Sequence, residues 1–228
     1  MHLPSDCPFS APSSSSLRIR LYSSAAGFAD AAATTAYDRT SASLAFTRTL
    51  ALLRDNIGSL ERPGGDLETL WDDYLLTRFS DKGTTAAATL GTLSLGATVL
   101  HIPTLVGAAG EHALRRFYQE FFLPGVPPSL RITLVSRTVG VDKIVDEMVL
   151  AFRHTCEIPW MLPGVPPTDR EVEVPIVTVV TVRAGKLVKE HVYWDQASVL
   201  VQVGLLQKGT LPVVGVEVAW KVLDERAV

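Results

Sequence analysis

Asp195, His101 and His154 are the side chains of this 228-residue chain whose types and settings could move protons. Asp195 closes the run Tyr193-Trp194-Asp195 at the end of an alternating stretch. Burial among Tyr193, Trp194 and Phe152 would raise its pKa toward a working range. A histidine, His154 or His101, would donate a hydrogen bond to an oxygen on which charge develops. That set could remove or relay a proton on a carbonyl-bearing hydrophobic molecule. Tyr193, Trp194, Phe152, Met148, Trp71 and Tyr74 form the expected substrate-binding wall. Each residue also has a plainer role. Asp195 precedes a helical pattern, and Asp is a preferred helix cap. His101 stands between apolar neighbours, as a satisfied buried histidine or a pocket base. The stripe holding Trp71 and Tyr74 reads as core.

Other chemistries find no support in the residues. No G-x-G-x-x-G dinucleotide fingerprint and no G-x-S-x-G nucleophile elbow is present. Cys7 and Cys156 are the only cysteines, too few for a disulfide framework or a thiolate zinc site. A net charge of -3 without a basic stripe gives no footprint for nucleic acid. The most apolar stretch, Ala86 to Val106, is broken by Thr, Ser, Gly, His101 and Pro103, so no membrane span is expected.

The positioning elements follow from periodicity. Leu67, Leu70, Trp71, Tyr74, Leu75 and Phe79 recur at helical spacing after Asp66, a capping residue. A short helix is expected within residues 84–95, then an extended piece around His101. Gly107 to Gly110 reads as a turn, followed by a helix presenting Leu114, Phe117, Tyr118, Phe121 and Phe122. From Ser129 onward strands dominate: 131–139, 143–156, 172–183 and a strand from Gly185 to Asp195. On the last, Leu187, Lys189, His191, Tyr193 and Asp195 share one face, and Val188, Glu190, Val192 and Trp194 the other. Helices followed by antiparallel strands with short turns predict an α+β fold. The sheet is expected to be antiparallel and curved into a cone, with the helices lining a cavity open to a small hydrophobic molecule.

Residues 1–65 differ in composition, with a serine run at 13–16 and an alanine run at 31–33. They read as a low-complexity leader with a possible helix over 43–57, and Arg62-Pro63-Gly64-Gly65 as the linker to a domain over 66–228. An Arg- and Ser-rich, acid-poor start resembles an organellar transit peptide, and Arg20-Leu21-Tyr22-Ser23 a matrix-peptidase site. A mitochondrial or a cytoplasmic protein both fit.

Several stretches also resemble the SnoaL-like polyketide cyclases of the nuclear transport factor 2-like superfamily. They are Arg153-His154, the loop Pro163 to Asp169, the hairpin at Gly185-Lys186-Leu187, and Tyr193-Trp194-Asp195. The likeness extends to SnoaL-like domains associated with fungal dienelactone hydrolase-like (carboxymethylenebutenolidase) proteins, through His101-Ile102-Pro103-Thr104, Val145 to Met148, His191 to Leu200 and Leu211 to Gly215. The resemblance implies an α+β barrel, a homodimer through the outer sheet face, and Asp195 in the place of a general acid/base. It implies cyclisation, isomerisation or lactone chemistry without metal or cofactor. A non-catalytic ligand-binding or dimerisation module is the other reading, because this superfamily hosts both.

Overall fold

The computed structural model describes residues 2–4, 19–22, 24, 26–32, 35–57, 66–79, 85–209 and 211–227. The chain divides into two compact units, Met1–Glu61 and Arg62–Val228. The expected linker, the serine run and Cys7 lie outside the described residues.

In the first unit, β1 (His2–Pro4) pairs in parallel with β2 (Arg20–Tyr22). Helix α1 spans Arg39–Ile57. Asp38 starts it by accepting the Ser41 amide at 2.8 Å. Tyr22, Phe28 and Ala45 make a small core of their own, and the Arg48 guanidinium lies over the Tyr22 ring.

The second unit carries helices on a six-stranded sheet. Helix α2 (Leu67–Phe79) is capped by Asp66, whose carboxylate accepts the Thr69 amide. Leu67, Trp71, Tyr74 and Arg78 are its buried residues, spaced four, three and four apart as one stripe. Helix α3 (Ala86–Gly91) leads into β3 (Leu93–His101) and β4 (Val106–Ala109). The expected turn at 107–110 is thus mostly an edge strand, and only Gly110, at φ +81°, turns the chain into α4 (Glu111–Arg116). A π-helical turn, Phe117–Phe122, continues α4, with the Leu123 amide bonded to Tyr118 O. The wider turn brings Phe117, Tyr118 and Phe122 onto the buried side together.

Strands β5 (Arg131–Val139), β6 (Lys143–Arg153), β7 (Glu171–Arg183) and β8 (Lys186–Trp194) follow. The sheet order is β4-β3-β8-β7-β6-β5, so it has two free edges and is not closed. It is mixed rather than wholly antiparallel: β3 runs parallel to β8 because the helical segment from α4 to β5 carries the chain from one edge to the other. Register breaks fall between Leu134 and Ser136, between Thr181 and Val182, and between Leu93 and Thr98. Bulges bend and twist the strands that hold them, and here they curve the sheet. Helices α5 (Gln196–Gln202) and α6 (Glu217–Leu223) complete the unit.

One buried cluster ties α2 to the β5–β6 hairpin. Asp146 has no exposed surface. It accepts Trp71 Nε1 at 2.7 Å and both Nε and Nη2 of Arg137 at 2.7 and 2.8 Å. Arg137 Nη1 reaches on to Asp72 at 2.9 Å. Removing one partner of a buried charge pair leaves the other uncompensated. Arg137→Ala is therefore expected to lower stability by about 3–5 kcal/mol, as read by urea denaturation. A loss no larger than that of an ordinary surface substitution would contradict the burial argument.

Candidate functional site

A small cavity, with about 30 Å³ free for the centre of a water molecule, opens between α2 and the inner sheet face. Its wall is apolar along Leu75, Ile132, Met148, Leu150, Ile176 and Val192. Strands β5, β6, β7 and β8 present the sheet residues, and α2 presents Leu75. Trp160 closes one side. That ring is fixed by the proline-rich loop around it: its Nε1 donates to Gly125 O at 3.0 Å, and its carbonyl accepts Thr104 Oγ1 at 2.9 Å. Gln196 Nε2 holds Met161 O at 3.0 Å.

Arg78, Glu190, Thr178 and His101 give the cavity its polar end. Arg78 Nη1 donates to Glu190 Oε1 at 2.6 Å, with both side chains almost fully buried. Tyr74 donates its hydroxyl hydrogen to Glu190 Oε2 at 2.7 Å. Tyr118, 2.5 Å from that hydroxyl, must then donate to Tyr74. Burial pushes both phenols above their usual range, so both stay protonated as donors. The guanidinium also lies 4.2 Å from the centre of the Phe122 ring and 5.0 Å from that of Tyr74, within cation–π range.

His101 Nδ1 faces the Val106 carbonyl at 3.2 Å. A carbonyl can only accept, so Nδ1 carries the hydrogen and Nε2 holds a lone pair. Burial first, then the positive charge of Arg78, pulls His101 down to about 4. Glu190 and the Val106 carbonyl oppose this more weakly. The ring is neutral at physiological pH and stacks on Phe122 at 5.8 Å.

No protein-family model matches the chain, and no curated protein matches it. Solved structures are similar over part of the chain. A protein of Jannaschia sp. CCS1 designated a SnoaL-like polyketide cyclase is 21% identical, with a TM-score of 0.49, over 63% of this chain and 97% of that one. A protein of Catenulispora acidiphila with a ketosteroid isomerase-like fold is 16% identical at a TM-score of 0.43, over 63% of this chain and 95% of that one. An NTF2-like protein of Burkholderia pseudomallei is 13% identical at 0.45, over 60% and 96%.

Of the expected site residues, His101 and Met148 line the cavity. Tyr74 stands behind it, bonded to Glu190, and Trp71 is held in the core by Asp146. Trp194 is nearly buried beside His101, with ring centres 5.9 Å apart. Phe152 is buried core outside the lining. His154 is buried at the end of β6, also outside the lining, with Nδ1 accepting the Thr168 amide. Tyr193 is exposed on the far sheet face.

Asp195 departs most from expectation. It is exposed, caps α5 by accepting the Ala197 amide at 2.9 Å, and does not line the cavity. The reason is a bulge. Leu187 pairs with Val182 and Lys189 with Thr181, leaving Val188 as the extra residue. Alternation restarts after it, so Leu187, Glu190, Val192 and Trp194 are buried while Tyr193 and Asp195 are exposed. The acid that reaches the cavity is Glu190.

Two outcomes follow. Asp195→Ala should cost about 1 kcal/mol through the lost cap, while Asp195→Asn, itself a good cap, should cost little; urea melts of both variants check this. His101 has a folded pKa, about 4, below its ordinary 6.5. Its contribution to stability is therefore complete above about 6.5 and falls as pH drops toward 4, by an amount on the order of 3 kcal/mol. Denaturation at pH 7 and pH 4.5 should show a smaller acid loss in His101→Phe than in the wild type; equal losses would mean His101 does not titrate as described.

Proposed function

We propose that the domain over residues 66–228 binds a small hydrophobic molecule bearing a carbonyl group. The observation that carries this reading is the cavity itself: an apolar wall with polar groups gathered at one end, the usual form of a small-molecule site. Ligand binding comes first and catalysis second. A ring with a pKa near 4 is a weak base, and Asp195 stands outside the cavity.

A second reading is cofactor-free acid/base chemistry of the SnoaL-like kind: cyclisation, isomerisation or a lactone or ester reaction. The neutral His101 ring favours it, with one nitrogen fixed by Val106 and the other holding a lone pair. His101 Nε2 would take a proton next to the carbonyl, and a donor at the Arg78 end would support the oxygen as charge develops. A module serving a separate dienelactone hydrolase-like enzyme would use the same cavity to hold that enzyme's lactone.

The test is a panel of small lactones and cyclic ketones, followed by thermal shift and by product analysis. Saturable stabilisation is expected in the wild type and in Asp195→Asn alike. No stabilisation by any compound would end the binding reading. Turnover lost in Asp195→Asn with the fold intact would return the acid/base role to Asp195; turnover lost in His101→Gln alone would establish the second reading.

We also propose that the outer sheet face pairs with a second copy of the chain. Val177 and Tyr193 are register partners there, and both are exposed. Light scattering should give a dimer that Tyr193→Glu converts to a monomer. A monomeric wild type would remove the proposal.

A further inference from the structure

The polar end of the cavity combines a closed charge balance with unmet hydrogen bonding, and together these restrict its ligand. Arg78 and Glu190 neutralise each other at 2.6 Å, and Tyr74 occupies the second carboxylate oxygen. The other residues lining the cavity are apolar, apart from Thr178 and the neutral His101. An ionic ligand would give up its hydration and meet no free counter-charge. Three buried polar atoms nevertheless have no partner among the described residues; His154 Nε2 lies away from the cavity, and the two at the cavity are Arg78 Nε and Thr178 Oγ1. Folded proteins rarely leave such groups unpaired, because their desolvation is then uncompensated. Both belong to side chains that line the cavity and are 3% exposed. Neither atom is open to water in the unliganded form, so pairing needs a small movement of each side chain as a ligand enters. His101 Nε2 adds an acceptor on the same cavity.

We propose that the cavity selects an uncharged hydroxy-carbonyl compound, whose carbonyl oxygen accepts from Arg78 Nε and Thr178 Oγ1 and whose hydroxyl donates to His101 Nε2. This rests on the ligand-binding reading above and names the class of ligand. The three contacts differ in kind. The donors read the carbonyl, the imidazole lone pair reads the hydroxyl, and the paired charges reject ions. A hydrocarbon of equal size fills the apolar wall but leaves all three polar groups unpaired.

The test is calorimetry of the full chain with 2-hydroxycyclohexanone, cyclohexanone, methylcyclohexane and cyclohexanecarboxylate. The hydroxyketone should bind most tightly, about tenfold or more above the hydrocarbon, and the carboxylate most weakly. Thr178→Val should weaken hydroxyketone binding about fivefold or more and leave methylcyclohexane unchanged, which also reports an intact cavity. Equal binding of ketone and hydrocarbon, tighter binding of the carboxylate, or no effect of Thr178→Val overturns the assignment while the binding reading stands. If no compound binds, methylcyclohexane included, the binding reading falls and this assignment falls with it.

Discussion

The buried pair between Arg78 and Glu190 is the interaction on which the second unit depends. It joins the end of α2 to the middle of β8, and Tyr74 and Tyr118 extend it to the helix before β5. Two charges without water are costly unless geometry and further hydrogen bonds compensate. Here Glu190 receives both a guanidinium and a phenol, while Arg78 lies on aromatic rings. A well-packed apolar pair in the same place could be at least as stable. What the ion pair adds is a fixed polar end to an otherwise apolar cavity. Structure and site are therefore one feature: the contact that seats the helices also sets what the cavity can hold.

The curved sheet supports that end by irregularity. Had β8 alternated without interruption, Leu187 would lie on the face opposite Glu190. The extra residue Val188 lets both face inward, and it leaves Asp195 outside as a helix cap. Asp146 plays a parallel role on β6, one strand beyond β7, taking Trp71 and Arg137. Each buried carboxylate of the sheet thus fastens α2 at a different point along its stripe, Asp146 near Trp71 and Glu190 near Arg78.

Much of this was legible in the residues. The α2 stripe, the four long strands and the α+β class follow from spacing of 3.6 and 2. Grouping Glu190 with Val192 and Trp194 was also open to simple alternation. The complement is also in the spacing: Arg78 continues the stripe of Leu67, Trp71 and Tyr74, so a cation on one apolar face answers an anion on another. The bulge could not be read, because Leu187-Val188-Lys189 fits unbroken alternation as well as the true register. The parallel pairing of β3 with β8 was equally hidden, since it depends on contacts far apart in sequence. Asp195 was drawn to the cavity by the resemblance, whereas the strong preference of Asp for helix starts already described its place.

The most direct measurement is an isotope-resolved NMR titration of the full chain with cyclohexanone, following the Arg78 Nε–H, the Trp160 indole N–H and the Ala197 amide that bonds Asp195. A cavity closed by Trp160 with Arg78 at its polar end predicts saturable shifts at Arg78 and Trp160 with the same affinity, and none at Ala197. Saturable shifts at Ala197 with Arg78 and Trp160 unmoved would place the site at Asp195 and contradict this account.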